Sequence, residues 1–165
     1  MKEKINVGIV AFSFGYQIDN PGPSNKVLAS VVQSTIRQIN HSNDQQLVAV
    51  VLQHEINSCF QKSPATLVVT RHTRPRQYLN SGEVVSQADG HFSTRKVELV
   101  YVIAQPFLHL SKCKKLVRFA GYELAKYKFA KVPFDPHSVQ WWTRSKWQLL
   151  IYALLQKIVG WKGNK

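Results

Sequence analysis

Acid-base and ligand chemistry in this sequence falls to a handful of polar residues that follow apolar runs. Glu55 comes shortly after the run at residues 47–52, where partial loss of water suits a carboxylate to general-base work or to holding a hydroxyl or metal ligand. A salt bridge to one of the many basic side chains is an equal use for it. His109 stands before a helix-like stretch, where unpaired amides favour an anion and an imidazole serves as acid, base or ligand. Capping that helix or satisfying a loop carbonyl competes with this. Cys113 lies four residues on, on the same helical face; a nucleophilic Cys/His pair is one reading, and a small apolar packing residue is the better one. Asp135 precedes Pro136, which favours extended or turn backbone and aims the carboxylate off a strand end or into solvent.

Downstream, Trp141 and Trp142 open an aromatic segment with Trp147, Tyr152 and Trp161, interleaved with Arg144 and Lys146. Such residues stack on bases or adenine-like rings, seat at a membrane interface, or simply pack a helix onto a sheet. Packing is the expectation for Trp147 and residues 149–155, seven apolar side chains in a row that leave no clean polar face. Were that helix not buried, it would need a partner or a membrane surface. The chain has no GxxxxGK(S/T) loop, no GxGxxG after its first apolar run and no GxSxG elbow. These absences argue against common nucleotide hydrolases, common dinucleotide enzymes and serine hydrolases.

The elements that must position these residues read as alternating strands and helices. Residues 7–12, 47–52 and 99–104 are short continuous apolar runs rich in β-branched residues, the mark of strands buried on both faces. Residues 66–70 form a further strand, and residues 126–132 alternate apolar and charged side chains like a strand near an edge. Helices are expected at 25–40 with Ser24 as cap, briefly after Glu55, at 81–88 for one or two turns, at 110–120 with Gly121 ending it, and at 145–159. The pattern is weakest between Arg71 and Arg95. The sum is an α/β Rossmann-like three-layer sandwich with a mostly parallel central sheet, in which ligands bind beyond the carboxyl ends of the strands. Ser13-Phe14-Gly15, Gln53-His54-Glu55, Arg71-His72, Gln105 to His109 and Phe134-Asp135 occupy those ends.

Composition sets the boundaries. A length of 165 residues suits a single domain over the whole chain, and 44% hydrophobic content suits a packed one. The net charge of +13 is uneven: residues 1–94 carry 8 basic and 6 acidic side chains, and residues 95–165 carry 14 and 3. Such a field gathers anions, whether phosphorylated metabolites, nucleic acid or an anionic membrane surface, without choosing among them. Two isolated cysteines, no secretory leader and no long apolar stretch point to a cytoplasmic or membrane-peripheral protein without a transmembrane span.

The string Asp135-Pro136-x-Ser138-x-Gln140-Trp141-Trp142-Thr143-Arg144, with Gly121-Tyr122 and His109 before it, resembles the C-terminal half of the YdcF-like family, the group that includes SanA and ElyC. Gln53-His54-Glu55-Ile56 and Tyr78-Leu79-Asn80-Ser81-Gly82-Glu83-Val84 are similar to its two upstream motifs. The chain departs from the family at Ser13-Phe14-Gly15, where relatives carry more glycine, at Ser81 to Val84, where an amide is lost, and at Lys112 and Lys114, where they carry an arginine. The resemblance implies a Rossmann-like sheet with Gly15, Glu55, Glu83, His109 and Asp135 converging on one pocket, a role near the bacterial cell envelope, and a nucleotide-like ligand such as S-adenosylmethionine.

The function expected is the binding or transformation of a small anionic ligand, nucleotide- or phosphate-containing. Glu55, Glu83 and His109 are the candidate catalytic groups. Gly15, Asn25, Gln53, Gln105, Asp135 and Arg144 are the candidate ligand contacts. A non-catalytic basic module that binds nucleic acid or an anionic membrane is the second choice.

Overall fold

A computed structural model describes residues 4–18, 20–70, 79–127 and 131–158. Among these residues five strands, β1 (Ile5–Ala11), β2 (Gln45–Gln53), β3 (Leu67–Val69), β4 (Leu99–Ile103) and β5 (Glu123–Leu124), form one sheet in the order β3-β2-β1-β4-β5. Every pairing is parallel. Helix α1 (Gly22–Asn40) links β1 to β2, the single turn α2 (His54–Asn57) follows β2, α3 (Ser81–Ser93) leads into β4, and α4 (His109–Phe119) joins β4 to β5. A 3-10 turn at Trp141–Thr143 and α5 (Lys146–Ile158) complete the described chain.

The sheet is covered on both faces. On one, Leu28 and Val32 of α1 meet Ile9, Val50, Leu52 and Ile103. On the other, Val84 and Phe92 of α3 and Val117 of α4 meet Val10, Val51 and Val102. Adjacent strand residues thus serve opposite layers, which is why the buried stretches of the three central strands are continuous apolar runs. The order of strands reverses between β1 and β4, and their carboxyl ends open a crevice at that point. This is the α/β Rossmann-like fold that the alternation of runs predicts.

Several local expectations are corrected. Ser24 does not cap α1: the helix begins at Gly22 with proline in its first turn, and the buried Ser24 hydroxyl donates to Pro133 O at 2.8 Å. The described edge strand beside β4 is Glu123–Leu124, ahead of the run at 126–132 expected to form one. Residues 128–130 of that run lie outside the described residues, and Lys126, Tyr127, Lys131 and Val132 are not in a strand. Helix α3 continues to Ser93, well past residue 88, and Asn80 caps it by accepting from Glu83 N at 3.0 Å. Gly121 does end α4, with φ +97°. Gly121 N bonds Arg118 O at 2.9 Å and Tyr122 N bonds Val117 O at 3.4 Å, the paired bonds of a left-handed helix stop.

Helix α5 departs furthest from expectation. Only Leu149 is buried on it, while Trp147, Ile151, Leu154 and Leu155 are exposed, so the helix does not pack its apolar run onto the sheet. It rests mainly on the preceding 3-10 turn, through Trp142 stacked on Tyr152 with centroids 4.7 Å apart. Among the described residues no helix is long and apolar enough to cross a membrane. Arg71, His72, Tyr78, Val159 and Trp161, singled out from the sequence, lie outside the described residues.

Candidate functional site

The carboxyl ends of β1 and β2 and the amino ends of α3 and α4 surround a cleft of about 720 Å³. Its fourth wall comes from Gln140, Trp142 and Thr143 and from the inner face of α5. Of the residues expected at a site, Gly15, Gln53, Glu55 and His109 line it. Asn80, Ser81, Lys112, Trp142 and Tyr152 line it too, and no local pattern in the sequence marked them as a group.

The loop after β1 forms the floor and is held from three sides. Ser13 N donates to Gln53 Oε1 at 2.8 Å, and Phe14 N donates to Asn25 Oδ1 at 2.9 Å. The Asn25 amide returns to Gly15 O at 3.1 Å. Asn25 is therefore a positioning residue, fully occupied by loop backbone. Gln105 serves likewise: buried, it accepts from Phe107 N at 2.7 Å and shapes the turn into α4.

The segment from Asp135 to Arg144 clamps the third side. Tyr16 N donates to Ser138 Oγ at 2.9 Å, and Val139 N donates to Tyr16 O at 2.7 Å. Arg144 Nε donates to Ser138 O at 2.7 Å, which ties its guanidinium to this segment's backbone. Asp135 is wholly buried; its Oδ1 accepts from Gln17 Nε2 at 2.7 Å and from His137 N at 3.1 Å. Its Oδ2 has no hydrogen-bond partner among the described residues and faces Gly22, the first residue of α1, where the positive end of the helix dipole favours a carboxylate. Asp135 and Arg144 thus lie outside the cleft lining and build the wall that carries Gln140, Trp142 and Thr143. Glu83, one turn into α3, is also absent from the lining.

His109 and Ser81 meet at the mouth of α3 and α4, with Ser81 Oγ 3.2 Å from His109 Nε2. The imidazole sits among Phe12, edge-on at 6.2 Å, and Phe14 at 5.6 Å, and its Nδ1 is enclosed without a partner among the described residues. Burial, and after it the Lys112 charge, pushes the His109 pKa from 6.5 down to about 4. The imidazole is therefore neutral at pH 7, a hydrogen-bonding group rather than a cation. Burial also pushes the Cys113 thiol up to about 12, so it stays protonated as a packing residue.

This shift links stability to pH. The unfolded chain takes up a proton near pH 6.5 that the folded protein refuses until about pH 4, so stability is complete above the higher value and falls as pH drops between them. Urea melts at about pH 7.5 and about pH 4.5 are expected to differ by on the order of 2 to 3 kcal/mol from this group. His109→Gln should flatten the difference; an unchanged slope would contradict the buried neutral imidazole.

The entry to α4 is strained. Leu108 has φ 60° and ψ −44°, and His109 N bonds Phe107 O at 2.7 Å, a positive-φ γ-turn that is rare for a residue with a side chain. The turn sets His109 at the first position of α4 and Lys112 one turn along, both on the cleft. Glu55 also lines the cleft, from the end of β2, its Oε2 enclosed and without a hydrogen-bond partner among the described residues. Among the described residues no three His, Cys, Asp or Glu side chains gather as a metal site.

Fold and site together define an α/β protein with an all-parallel sheet and a ligand-sized cleft at its switch point. No family model matches the chain, and no curated protein is similar to it. Among solved structures, homoserine dehydrogenase from S. aureus aligns with 83% of this chain at 11% identity and a TM-score of 0.25; the chain spans 34% of that protein. At that score the likeness carries no argument about the site.

Proposed function

We propose that this chain is a YdcF-like domain that binds or transforms a small anionic ligand, nucleotide- or phosphate-containing, in the cleft between β1, β2, α3 and α4. The observation that carries the reading is that two helix amino ends, Lys112 and the Glu55 side chain line one cleft. In α4 the amides of His109 and Leu110 already bond Phe107 O and Gln105 O, and in α3 Glu83 N bonds Asn80; the remaining first-turn amides and the full charge of Lys112 favour a phosphate or carboxylate. Glu55, beyond β2 in a parallel sheet, is where a carboxylate takes the hydroxyls of a ribose.

The neutral His109 and the Ser81 hydroxyl supply hydrogen bonds between these ends. A ligand of the S-adenosylmethionine type fits this donor set, with its ribose toward Glu55 and its carboxylate toward the helix ends. In an enzymatic version Glu55 and His109 are the proton-transfer groups. The setting near the bacterial cell envelope rests on the resemblance of the Asp135 to Arg144 string.

Calorimetric titration with S-adenosylmethionine, ATP and inorganic phosphate tests the reading. At least one should bind, and Glu55→Gln and His109→Ala should each weaken it by about 10-fold or more, the loss of one or two charge-assisted hydrogen bonds. Unchanged affinity in both variants would overturn it.

A further inference from the structure

Helix α5 presents two unlike faces. Leu149, Tyr152, Ala153 and Gln156 look into the cleft. On the other side Trp147, Ile151, Leu154, Leu155 and Ile158 remain 73%, 52%, 57%, 43% and 70% exposed. Their spacing of four, three, one and three residues places them within an arc of about 100° on a helix. They form one continuous apolar stripe that nothing among the described residues covers, and Lys146 and Lys157 run along its flank.

The charge around this stripe has one sign. From Pro136 to Lys165 the chain carries five basic side chains, Arg144, Lys146, Lys157, Lys162 and Lys165, and no Asp or Glu. All four tryptophans of the protein, Trp141, Trp142, Trp147 and Trp161, fall in the same stretch. We propose that α5 docks on an anionic lipid bilayer. It lies in the plane of the interface with the stripe among the upper acyl chains, Trp147 at headgroup level, and the lysines on lipid phosphates.

Geometry and charge favour this occupant over the alternatives. A helix of 13 residues spans about 20 Å, short of the roughly 30 Å of a hydrocarbon core, so it lies on the membrane rather than crossing it. Pairing the stripe with a second copy would juxtapose two chains of net charge +13, with no carboxylate in this segment to offset the repulsion. A surface of anionic headgroups meets both needs, taking up the apolar stripe and neutralising its rim. The inference does not depend on the cleft holding a ligand.

Sedimentation of the full chain with vesicles tests it. Vesicles of phosphatidylcholine with about a third phosphatidylserine should carry the protein down at about 0.1 M salt, pure phosphatidylcholine much less, and higher salt should weaken binding. Trp147→Ser with Leu154→Ser should lower partitioning by about 10-fold or more. Both residues are exposed, so the circular dichroism spectrum should be unchanged. Brominated acyl chains should quench tryptophan emission in the native protein, and less in Trp147→Phe. Absence of binding at low salt would overturn the proposal. So would binding that the double substitution leaves intact, since charge alone would then explain it. A concentration-dependent dimer abolished by that substitution would assign the stripe to a second copy instead.

Discussion

Replacing Phe92 by alanine is expected to cost about 4 kcal/mol of folding stability and to lower the melting temperature by on the order of 10 °C. Phe92 is 1% exposed in the last turn of α3 and lies directly over Gly8 of β1. A Cβ at Gly8 would come within 3.0 Å of Phe92 Cε1, so the ring already fills the space that a side chain on the strand would take. Tyr122 meets it edge-on at 5.5 Å and ties back to α3 through a 2.7 Å hydrogen bond from its hydroxyl to Asp89 Oδ1. Truncation removes the contact that joins α3, the central strand and the turn after α4. The strand has no side chain there with which to collapse into the void. Phe92→Leu, which keeps most of the volume, should cost about 1 to 2 kcal/mol. Thermal and urea melts of the two variants check this; a loss under about 1 kcal/mol for the alanine would refute the packing.

Gly22→Ala is the second large effect, with an expected cost of about 3 kcal/mol. Gly22 opens α1 at φ +74°, and a Cβ there would lie 2.5 Å from Asp135 Oδ2. The left-handed backbone alone costs an alanine about 1 kcal/mol or more. Because the carboxylate cannot stay, its bonds from Gln17 and His137 go as well, and with them the anchor of the wall bearing Gln140 to Thr143. Ligand affinity in the cleft should therefore fall along with stability. Gly90→Ala is the contrasting case: it lies in α3 with nothing within 4 Å of the added carbon, and should stabilise by about 0.5 to 1 kcal/mol. Combining Gly22→Ala with Asp135→Ala should recover part of the loss, and the melting temperatures of the four proteins measure the coupling.

The sheet was legible because its three central strands are buried on both faces, so β1, β2 and β4 stand out as unbroken apolar runs. The edge was not. Of residues 126–132, the described Lys126, Tyr127, Lys131 and Val132 are not in a strand: Tyr127 turns inward to donate its hydroxyl to Val102 O at 2.6 Å and Val132 packs at 6% exposure. Meanwhile β5 has two residues, too few to show a period. Ser24 had the residue type of a cap, but a tertiary bond to Pro133 claimed its hydroxyl.

In the cleft, Gly15, Gln53, Glu55 and His109 were accessible to sequence reasoning because parallel strands fix where their carboxyl ends point. Asn25, Gln105, Asp135 and Arg144 were readable as special, but their bonds to loop backbone and, for Asp135, to Gln17 depend on tertiary placement that residue type does not encode. The stacked Trp142 and Tyr152 and the two-faced α5 depend on how the last helix returns to the strand ends, which no local period encodes. A run of seven apolar residues reads as buried when one of its sides faces a cleft and the other faces outward.

The central place of β1 also governs the order in which the molecule can be made. Val7 pairs with Leu47 on one side and with Leu99 on the other, so the second partner is translated 52 residues after the first. At a ribosomal pace of about 5 to 20 residues per second, β1 spends roughly three to ten seconds with one edge satisfied and the other bare. That bare edge runs through Ile9, Val10 and Ala11, among the most apolar backbone in the chain, and invites pairing with strands of other molecules. The sheet is closed from the middle outward, and its nascent form is most exposed to misassembly before β4 emerges.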